Sequence, residues 1–143
     1  MDANSELLNF IFQNSQMGVA TLDQLIPMIE NEKLKKQLNW QKEQYRSFHD
    51  SAAKELEKQA KDEKGLTAME KMRTYLMINF QTLTDKSSSH IAEMVIIGSN
   101  MGVIDAIKNI HKYKDSVNPA VLELMDQLKE FEQNNVERLK EFL

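Results

Sequence analysis

The chain has 143 residues, 41% of them apolar and 28% charged, and its net charge is −4 at neutral pH. This length predicts a single domain, residues 1–143, that can bury a hydrophobic core. The absence of cysteine excludes disulfides and thiolate metal sites and fits a reducing compartment. Lysines and arginines are mixed with acidic residues rather than collected in a stripe, so no nucleic-acid partner is expected. The acidic N-terminus is not typical of a signal peptide, and no apolar run approaches the roughly 20 residues that span a bilayer. We therefore expect a cytoplasmic protein with no membrane partner.

The first two predicted helices form a hairpin over residues 4–62. The first helix begins near Asn4 or Ser5, both good N-caps, and Pro27 should kink its last turn. The break is expected around Asn31, a residue that tolerates a left-handed conformation. A short connection of this kind makes the two helices antiparallel. The second helix carries one buried face at helical spacing: Leu34, Leu38, Gln41, Tyr45, Phe48, Ala52 and Leu56.

A helical crossover is predicted over residues 67–84. Gly65 ends the preceding helix, and Thr67 with Glu70 has capping-box spacing for the next one. The crossover is apolar nearly all round, which leaves two interpretations open: it is buried in the bundle, or it forms a subunit interface. The second interpretation predicts a homodimer. The interface residues would be Met69, Met72, Tyr75, Leu76 and Phe80.

A second helical hairpin is predicted over residues 89–143. The serines at 87–89 can cap its first helix, and Asn118 followed by Pro119 is typical of the start of the last helix. Both hairpins have short turns, whereas the link between them is long, which indicates a four-helix bundle with one crossover. The inward face expected for the last helix consists of Val121, Met125, Leu128, Phe131, Asn135, Leu139 and Phe142.

One short motif occurs twice, 84 positions apart: Ser15-Gln16-Met17-Gly18-Val19 and Ser99-Asn100-Met101-Gly102-Val103. Each copy lies in the middle of a predicted helix, where glycine costs about 1 kcal/mol relative to alanine. A close approach of two helices would compensate for that cost. We therefore predict a packing centre near a pseudo-twofold axis, formed by Ser15, Gly18, Ser99 and Gly102.

Two repeated helical hairpins joined by a long helical crossover resemble the ferritin-like superfamily. The resemblance covers nearly the whole chain in pattern, and it implies an all-α bundle that normally holds a di-iron centre. That centre uses a Glu from one helix of each hairpin and a Glu-x-x-His from the other. Here the matching stretches read Glu43-Gln44-Tyr45-Arg46 and Glu130-Phe131-Glu132-Gln133, without histidine. The ligand set is degraded, so we expect no cofactor and assign no metal ligand from the resemblance.

A looser metal or cation site is a separate hypothesis. In a bundle of this connectivity Asp23, Glu43 and Glu93 would lie at similar heights, and His49 could face a polar pocket near mid-bundle. The simpler interpretation makes the three acidic residues surface carboxylates that flank the core, with His49 at its edge.

The sequence contains no phosphate-binding glycine loop, nucleophile elbow or metalloprotease motif, and no catalytic residue is assigned. We expect a non-catalytic protein that self-associates and binds a protein partner or a small apolar ligand. The alternative is a ferritin-like iron or manganese protein, or an oxidase, with non-standard ligands.

Overall fold

A computed structural model describes residues 2–59 and 83–143, which form four long helices packed together. No strand occurs within these two ranges, so the expected all-α class is confirmed. Short 3₁₀ turns at Ile26–Met28 and Lys140–Phe142 follow the first and the last long helix. The long helices are α1 (Ala3–Leu25), α2 (Glu32–Lys58), α3 (Ser88–Tyr113) and α4 (Pro119–Leu139).

Side-chain caps fix where α1 and α2 begin. The Asp2 carboxylate accepts the Ser5 backbone N–H at 2.8 Å, so α1 starts slightly earlier than predicted. The Asn31 side chain accepts the Leu34 N–H at 3.0 Å, and its backbone is extended, with φ −69° and ψ 111°. The break predicted around Asn31 is therefore present, but Asn31 is extended and caps the start of α2 instead of closing α1 in a left-handed conformation.

The other predicted helix ends agree with the structure. Ser87 accepts the His90 N–H at 3.2 Å and caps α3. Asn118 precedes α4, which begins at Pro119 as its sequence indicates. Pro27 lies in the 3₁₀ turn that follows α1, where its missing N–H cannot continue the α-helical hydrogen bonds.

Contacts at the two ends of the bundle establish the helix directions. The Asn118 N–H donates to the Asn4 side chain at 2.8 Å, so α1 and α4 start at the same end. Lys33, at the start of α2, pairs with Glu141 at the opposite end. Thus α4 is parallel to α1 and antiparallel to α2. The closest packing is between α1 and α2 and between α3 and α4.

The hydrophobic core consists of two clusters, one toward each end of the bundle. A buried layer lies between them along the helices, and we call it the polar layer: Asn14, Ser15, Ser99, Glu132 and Asn135. The first cluster contains Leu22, Leu25, Ile26, Ile29, Leu34, Leu38, Tyr45, Ile91, Val95 and Leu139. The second contains Leu7, Leu8, Ile11, Ala52, Leu56, Ala106, Val121, Met125 and Leu128.

Helix α3 is long and apolar enough to cross a membrane, which the expectation from sequence overlooked. Among the described residues it is the one helix that meets the length and composition criteria for a membrane span. Its most apolar 18-residue window has a mean hydropathy of 1.3. Of that window, 44% is buried inside the bundle. Core helices of soluble proteins meet the same criteria, so the finding carries no conclusion about a membrane.

Most of the predicted crossover, residues 67–84, lies outside the described residues. The same is true of the predicted interface residues Met69, Met72, Tyr75, Leu76 and Phe80. Leu56, near the end of α2, packs with Leu7, and Ile91, near the start of α3, packs with Leu25. Helix α2 thus ends at one end of the bundle, and α3 begins at the other.

Candidate functional site

A buried carboxylate, Glu132, lies at the centre of the polar layer. It is only 2% exposed, although glutamate is rarely buried to this degree without a partner. Leu128 and Leu139 anchor α4 in the two apolar clusters, and this anchoring turns Glu132 toward the inside of the bundle. The carboxylate therefore belongs to the core and not to the solvated face of α4.

Side chains from two other helices hold the Glu132 carboxylate. The Tyr45 hydroxyl of α2 donates a hydrogen bond to Oε1. The Asn14 amide of α1 donates a longer one, 3.4 Å from Nδ2 to the same oxygen. Helix α3 contributes Ser99, whose hydroxyl also favours the charged carboxylate. All four helices thus supply one polar group to this point.

Burial dominates the electrostatics of the site. It raises the pKa of Glu132 from 4.5 to about 7, and the hydrogen-bonding groups of Tyr45, Ser99 and Asn14 only partly oppose that rise. No lysine, arginine or histidine of the described residues forms an ion pair with Glu132. Burial, followed by the nearby carboxylate, also raises the pKa of Tyr45, so its phenol stays protonated and remains a donor.

The ring of Tyr45 is held on both sides. Phe131 meets it edge-on, with the ring centroids 5.0 Å apart. On the other side lies Gly18, where an added Cβ would come within 2.7 Å of three ring atoms. Only glycine leaves room for the ring at this point of α1. The fixed ring in turn fixes the hydroxyl that donates to Glu132.

A cleft between α1 and α3 reaches this carboxylate. Its volume is ≈ 30 Å³, about enough for two or three water molecules. The glycines Gly18 and Gly98 lie on its two walls, where the lack of side chains leaves space between the helices. The remaining lining residues are Asn14, Met17, Thr21, Leu22, Tyr45, Met94, Val95, Ser99 and Glu132. The cleft is therefore apolar over much of its wall, with one ionisable carboxyl group.

Two buried amides near the carboxylate lack hydrogen-bond partners of ordinary geometry within the described ranges. Asn135 lies one turn beyond Glu132 on α4, and Gln41 lies one turn before Tyr45 on α2. Buried amides without partners are uncommon in folded proteins and cost roughly 1–3 kcal/mol each. Neither amide lines the cleft, but both add polar groups to the middle of the bundle.

The predicted packing-centre residues lie around this site. Ser15 is fully buried and donates to the Ile11 carbonyl at 2.6 Å, Gly102 is buried, and Ser99 lines the cleft with Gly18. The atoms nearest to a Cβ at Gly18 belong to Tyr45 of the same hairpin. Gly18 thus makes room for the aromatic ring of Tyr45 on α2, and not for the second copy of the repeated motif on α3.

The four candidate metal residues do not come together. Asp23 pairs with Lys42 at 3.0 Å, Glu43 pairs with Arg46 at 2.8 Å, and both carboxylates are exposed. Glu93 is exposed on α3, and His49 stacks on Phe12 with centroids 4.2 Å apart. None of the four lines the cleft. Across residues 2–59 and 83–143 no group of three or more histidine, aspartate or glutamate side chains could hold a metal ion.

The donors at the polar layer also do not suit the di-iron centre that the ferritin-like resemblance implies. That centre needs several carboxylates and imidazoles aimed at one point. The polar layer offers one carboxylate, two amides and two hydroxyls, together with the Tyr45 phenol. Hydrogen-bonding groups of this kind suit a small organic molecule or water better than a pair of iron ions.

Glu132 was missed because Phe131 was assigned to the inward face of α4. Six of the seven buried positions of α4 alternate in spacings of four and three, the pattern of a packed helix seam, and the seventh, Val136, lies beside it. The six are Val121, Met125, Leu128, Glu132, Asn135 and Leu139. Phe131 is only half-buried, against both clusters. This spacing of four and three was present in the sequence. Assigning Glu132 instead of Phe131 to the inward face on that basis would have identified the carboxylate.

Tyr45→Phe tests the hydrogen bond to Glu132. Removing the hydroxyl takes a donor from the carboxylate, so the pKa of Glu132 should rise further. The variant should lose roughly 1–3 kcal/mol of unfolding free energy at pH 8.5, and less at pH 5, where the carboxyl is neutral. Urea unfolding followed by circular dichroism at the two pH values measures this. Tyr113→Phe, at a half-buried ring far from the site, is the matched control. Equal losses at both pH values would contradict the assigned hydrogen bond.

Comparison with known proteins adds no relative: no family model, curated protein or solved structure matches this chain. The interpretation of the cleft therefore rests on its own geometry and chemistry.

Proposed function

We propose that the chain is a non-catalytic, cytoplasmic helical-bundle protein that binds a small ligand in the cleft between α1 and α3. The observation that carries this proposal is a buried carboxylate, Glu132, at a cleft whose wall is opened by Gly18 and Gly98. A core that served stability alone would gain more from an apolar side chain at this position, since burying an ionisable group is costly.

The character of the wall supports binding over catalysis. Met17, Leu22, Met94 and Val95 provide an apolar surface, and methionine adapts its shape to different ligands. Glu132 and the raised-pKa phenol of Tyr45 are the ionisable groups among the described residues that line the cleft, and no histidine of those residues lies there to activate the hydroxyls of Thr21 and Ser99. A few polar groups in an otherwise apolar concavity are typical of small-molecule sites.

A fragment screen by NMR tests the proposal. Glycine-selective ¹⁵N labelling gives few signals, because the chain has only four glycines. Two of them, Gly18 and Gly98, line the cleft, whereas Gly102 does not. Neutral, cationic and anionic fragments of up to six heavy atoms should include a class that shifts the Gly18 and Gly98 amides saturably and leaves Gly102 unchanged. A screen in which no fragment does so would refute ligand binding, and so would stoichiometric iron or manganese in the purified protein.

We further propose a ferritin-like arrangement of two related hairpins. The parallel α1 and α4, each antiparallel to its hairpin partner, are consistent with that arrangement. The two copies of the repeated motif lie on α1 and α3, which occupy the first place in each hairpin. A carboxylate site in the middle of the bundle would then occupy the level at which that superfamily holds its metal, with a different ligand.

The chain should also self-associate, which we expect to give a homodimer. The apolar crossover predicted from sequence is the main reason, and exposed Ile97 and Ile104 on α3 offer further apolar surface. Light scattering coupled to size exclusion should report about twice the 16.6 kDa chain mass at micromolar concentration. Ile104→Lys is a surface substitution that should shift this equilibrium toward monomer if α3 takes part. A strict monomer of the unaltered chain would contradict self-association.

A further inference from the structure

We propose that the cleft binds a small primary amine in its ammonium form, with the charged head paired to Glu132 and the carbon chain against the methionine-lined wall. This inference rests on the proposed function, because it names the class of ligand that the same cleft would take. It goes beyond that function in assigning the ligand a positive charge, N–H donors and a size limit.

The hydrogen bonds on the carboxylate leave room for a further donor. Those from Tyr45 and Asn14 both end on Oε1, and the Ser99 hydroxyl also acts on the carboxylate. A carboxylate has about four acceptor sites, so these three groups leave at least one of them for a further donor. Glu132 lines the cleft, so a donor entering between Gly18 and Gly98 meets this carboxylate.

The charge of the site also favours an ammonium group. The carboxylate is buried without a cation from the described part of the chain, and a charged hydrogen bond to it is about twice as strong as a neutral one. An ammonium group would bring the missing charge, whereas an anion would be repelled. Asn14, Thr21 and Ser99 also line the cleft and carry oxygen acceptors for the other N–H groups of an ammonium head.

The lining of the cleft excludes hard divalent cations. Magnesium and calcium need six or more oxygen ligands, most of them carboxylates, carbonyls or water. The cleft presents one carboxylate, and its opposite walls are the thioethers and alkyl groups of Met17, Leu22, Met94 and Val95. Those groups match an alkyl chain and cannot ligate a hard cation.

The size of the cleft limits the length of the ligand's carbon chain. A volume of ≈ 30 Å³ accommodates an ammonium head with one to three carbon atoms if the methionine side chains adjust. A branched quaternary ammonium is wider and has no N–H to donate. The site should therefore select linear primary amines over tetramethylammonium, although both carry the same charge.

The experiment compares matched probes on the glycine-labelled protein at pH 8 and constant ionic strength. Propylammonium chloride should shift the Gly18 and Gly98 amides saturably. The isosteric 1-propanol should bind at least about tenfold more weakly, and tetramethylammonium should leave both amides unchanged. Glu132→Gln should weaken propylammonium binding by about tenfold or more, whereas the exposed Glu130→Gln should leave it unchanged.

The outcomes separate this inference from the proposed function. If 1-propanol binds as well as propylammonium, or if Glu132→Gln keeps full affinity for propylammonium, the pairing with an ammonium group is overturned while ligand binding stands. If tetramethylammonium produces the same shifts as propylammonium, the response reports surface charge and the inference fails. If no probe or screened fragment shifts Gly18 and Gly98, the proposed function fails as well.

Discussion

Glu132→Gln should stabilise the protein at pH 8 and leave it nearly unchanged at pH 4.5. The pKa of the carboxyl is about 7 in the folded chain and 4.5 as its ordinary value. Between these two values the unfolded chain releases a proton that the folded chain keeps. The unfolded state therefore binds fewer protons, and the stability of the unaltered protein falls as the pH rises through this range. The difference between these two pKa values corresponds to a loss of about 3 kcal/mol from the free energy of unfolding.

The glutamine variant lacks this titration and retains a side-chain oxygen that can accept from Tyr45. Urea unfolding from pH 4.5 to pH 8.5 should thus give two curves that meet at low pH and separate progressively up to about pH 7. Glu130→Gln, two residues earlier on α4 and exposed, supplies the matched control and should follow the unaltered protein throughout. A constant difference between Glu132→Gln and the unaltered protein across the whole range would show that Glu132 does not titrate as its burial requires.

This stability cost bears on the ligand proposal. A position that lowers stability at neutral pH persists in a protein when another role compensates, and functional sites are often where stability is lost. A bound ammonium group would lower the pKa of Glu132 and add stability by mass action. The same carboxylate thus connects the pH dependence of the stability of the ligand-free protein to its proposed affinity for an amine.

Much of the architecture followed from local chemistry in the sequence. Helical periodicity, the Ser87 cap and the Asn118-Pro119 start were sufficient to place α3 and α4. The buried face of α2 was also predicted, with Phe48 half-buried at its edge. These features depend on residues close together in the chain, so spacing alone reveals them.

The site was harder to predict because it depends on contacts between distant residues. Asn14 and Glu132 are 118 positions apart, and Tyr45 and Glu132 are 87 apart. A carboxylate between apolar positions is normally assigned to the surface, since buried glutamates are rare. Only the alternating spacing of four and three residues along α4 indicated that Glu132 faces inward, and the half-buried Phe131 next to it obscured that pattern.

Gly18 shows the same difference between features that residue spacing predicts and features that depend on distant contacts. A costly glycine in mid-helix predicted a close approach of two helices, but residue spacing alone cannot name the neighbour. The structure places the ring of Tyr45 there, on α2, with an added Cβ only 2.7 Å from the Cγ, Cδ2 and Cε2 atoms. Two of the predicted packing-centre residues, Gly18 and Ser99, line the cleft, and the ring that Gly18 admits carries the hydroxyl that donates to Glu132.

Gly18→Ala should destabilise the protein by roughly 1–3 kcal/mol, although alanine is the better helix former by about 1 kcal/mol. The ring cannot move freely, because Phe131 packs against its edge and Glu132 holds its hydroxyl. Relief of the overlap would pull the hydroxyl away from the carboxylate. The variant should therefore also strengthen the pH dependence of stability, an effect that a purely steric defect would not produce.

A double-mutant cycle isolates this contact. In a Tyr45→Leu background the narrower side chain removes the overlap, so Gly18→Ala should become neutral or stabilising through its helix propensity. Chemical denaturation of the four proteins, at pH 5 and pH 8, supplies both the coupling energy and its pH dependence. If Gly18→Ala costs the same in both backgrounds, the ring is not what requires glycine at this position, and the link between the glycine and Glu132 is lost.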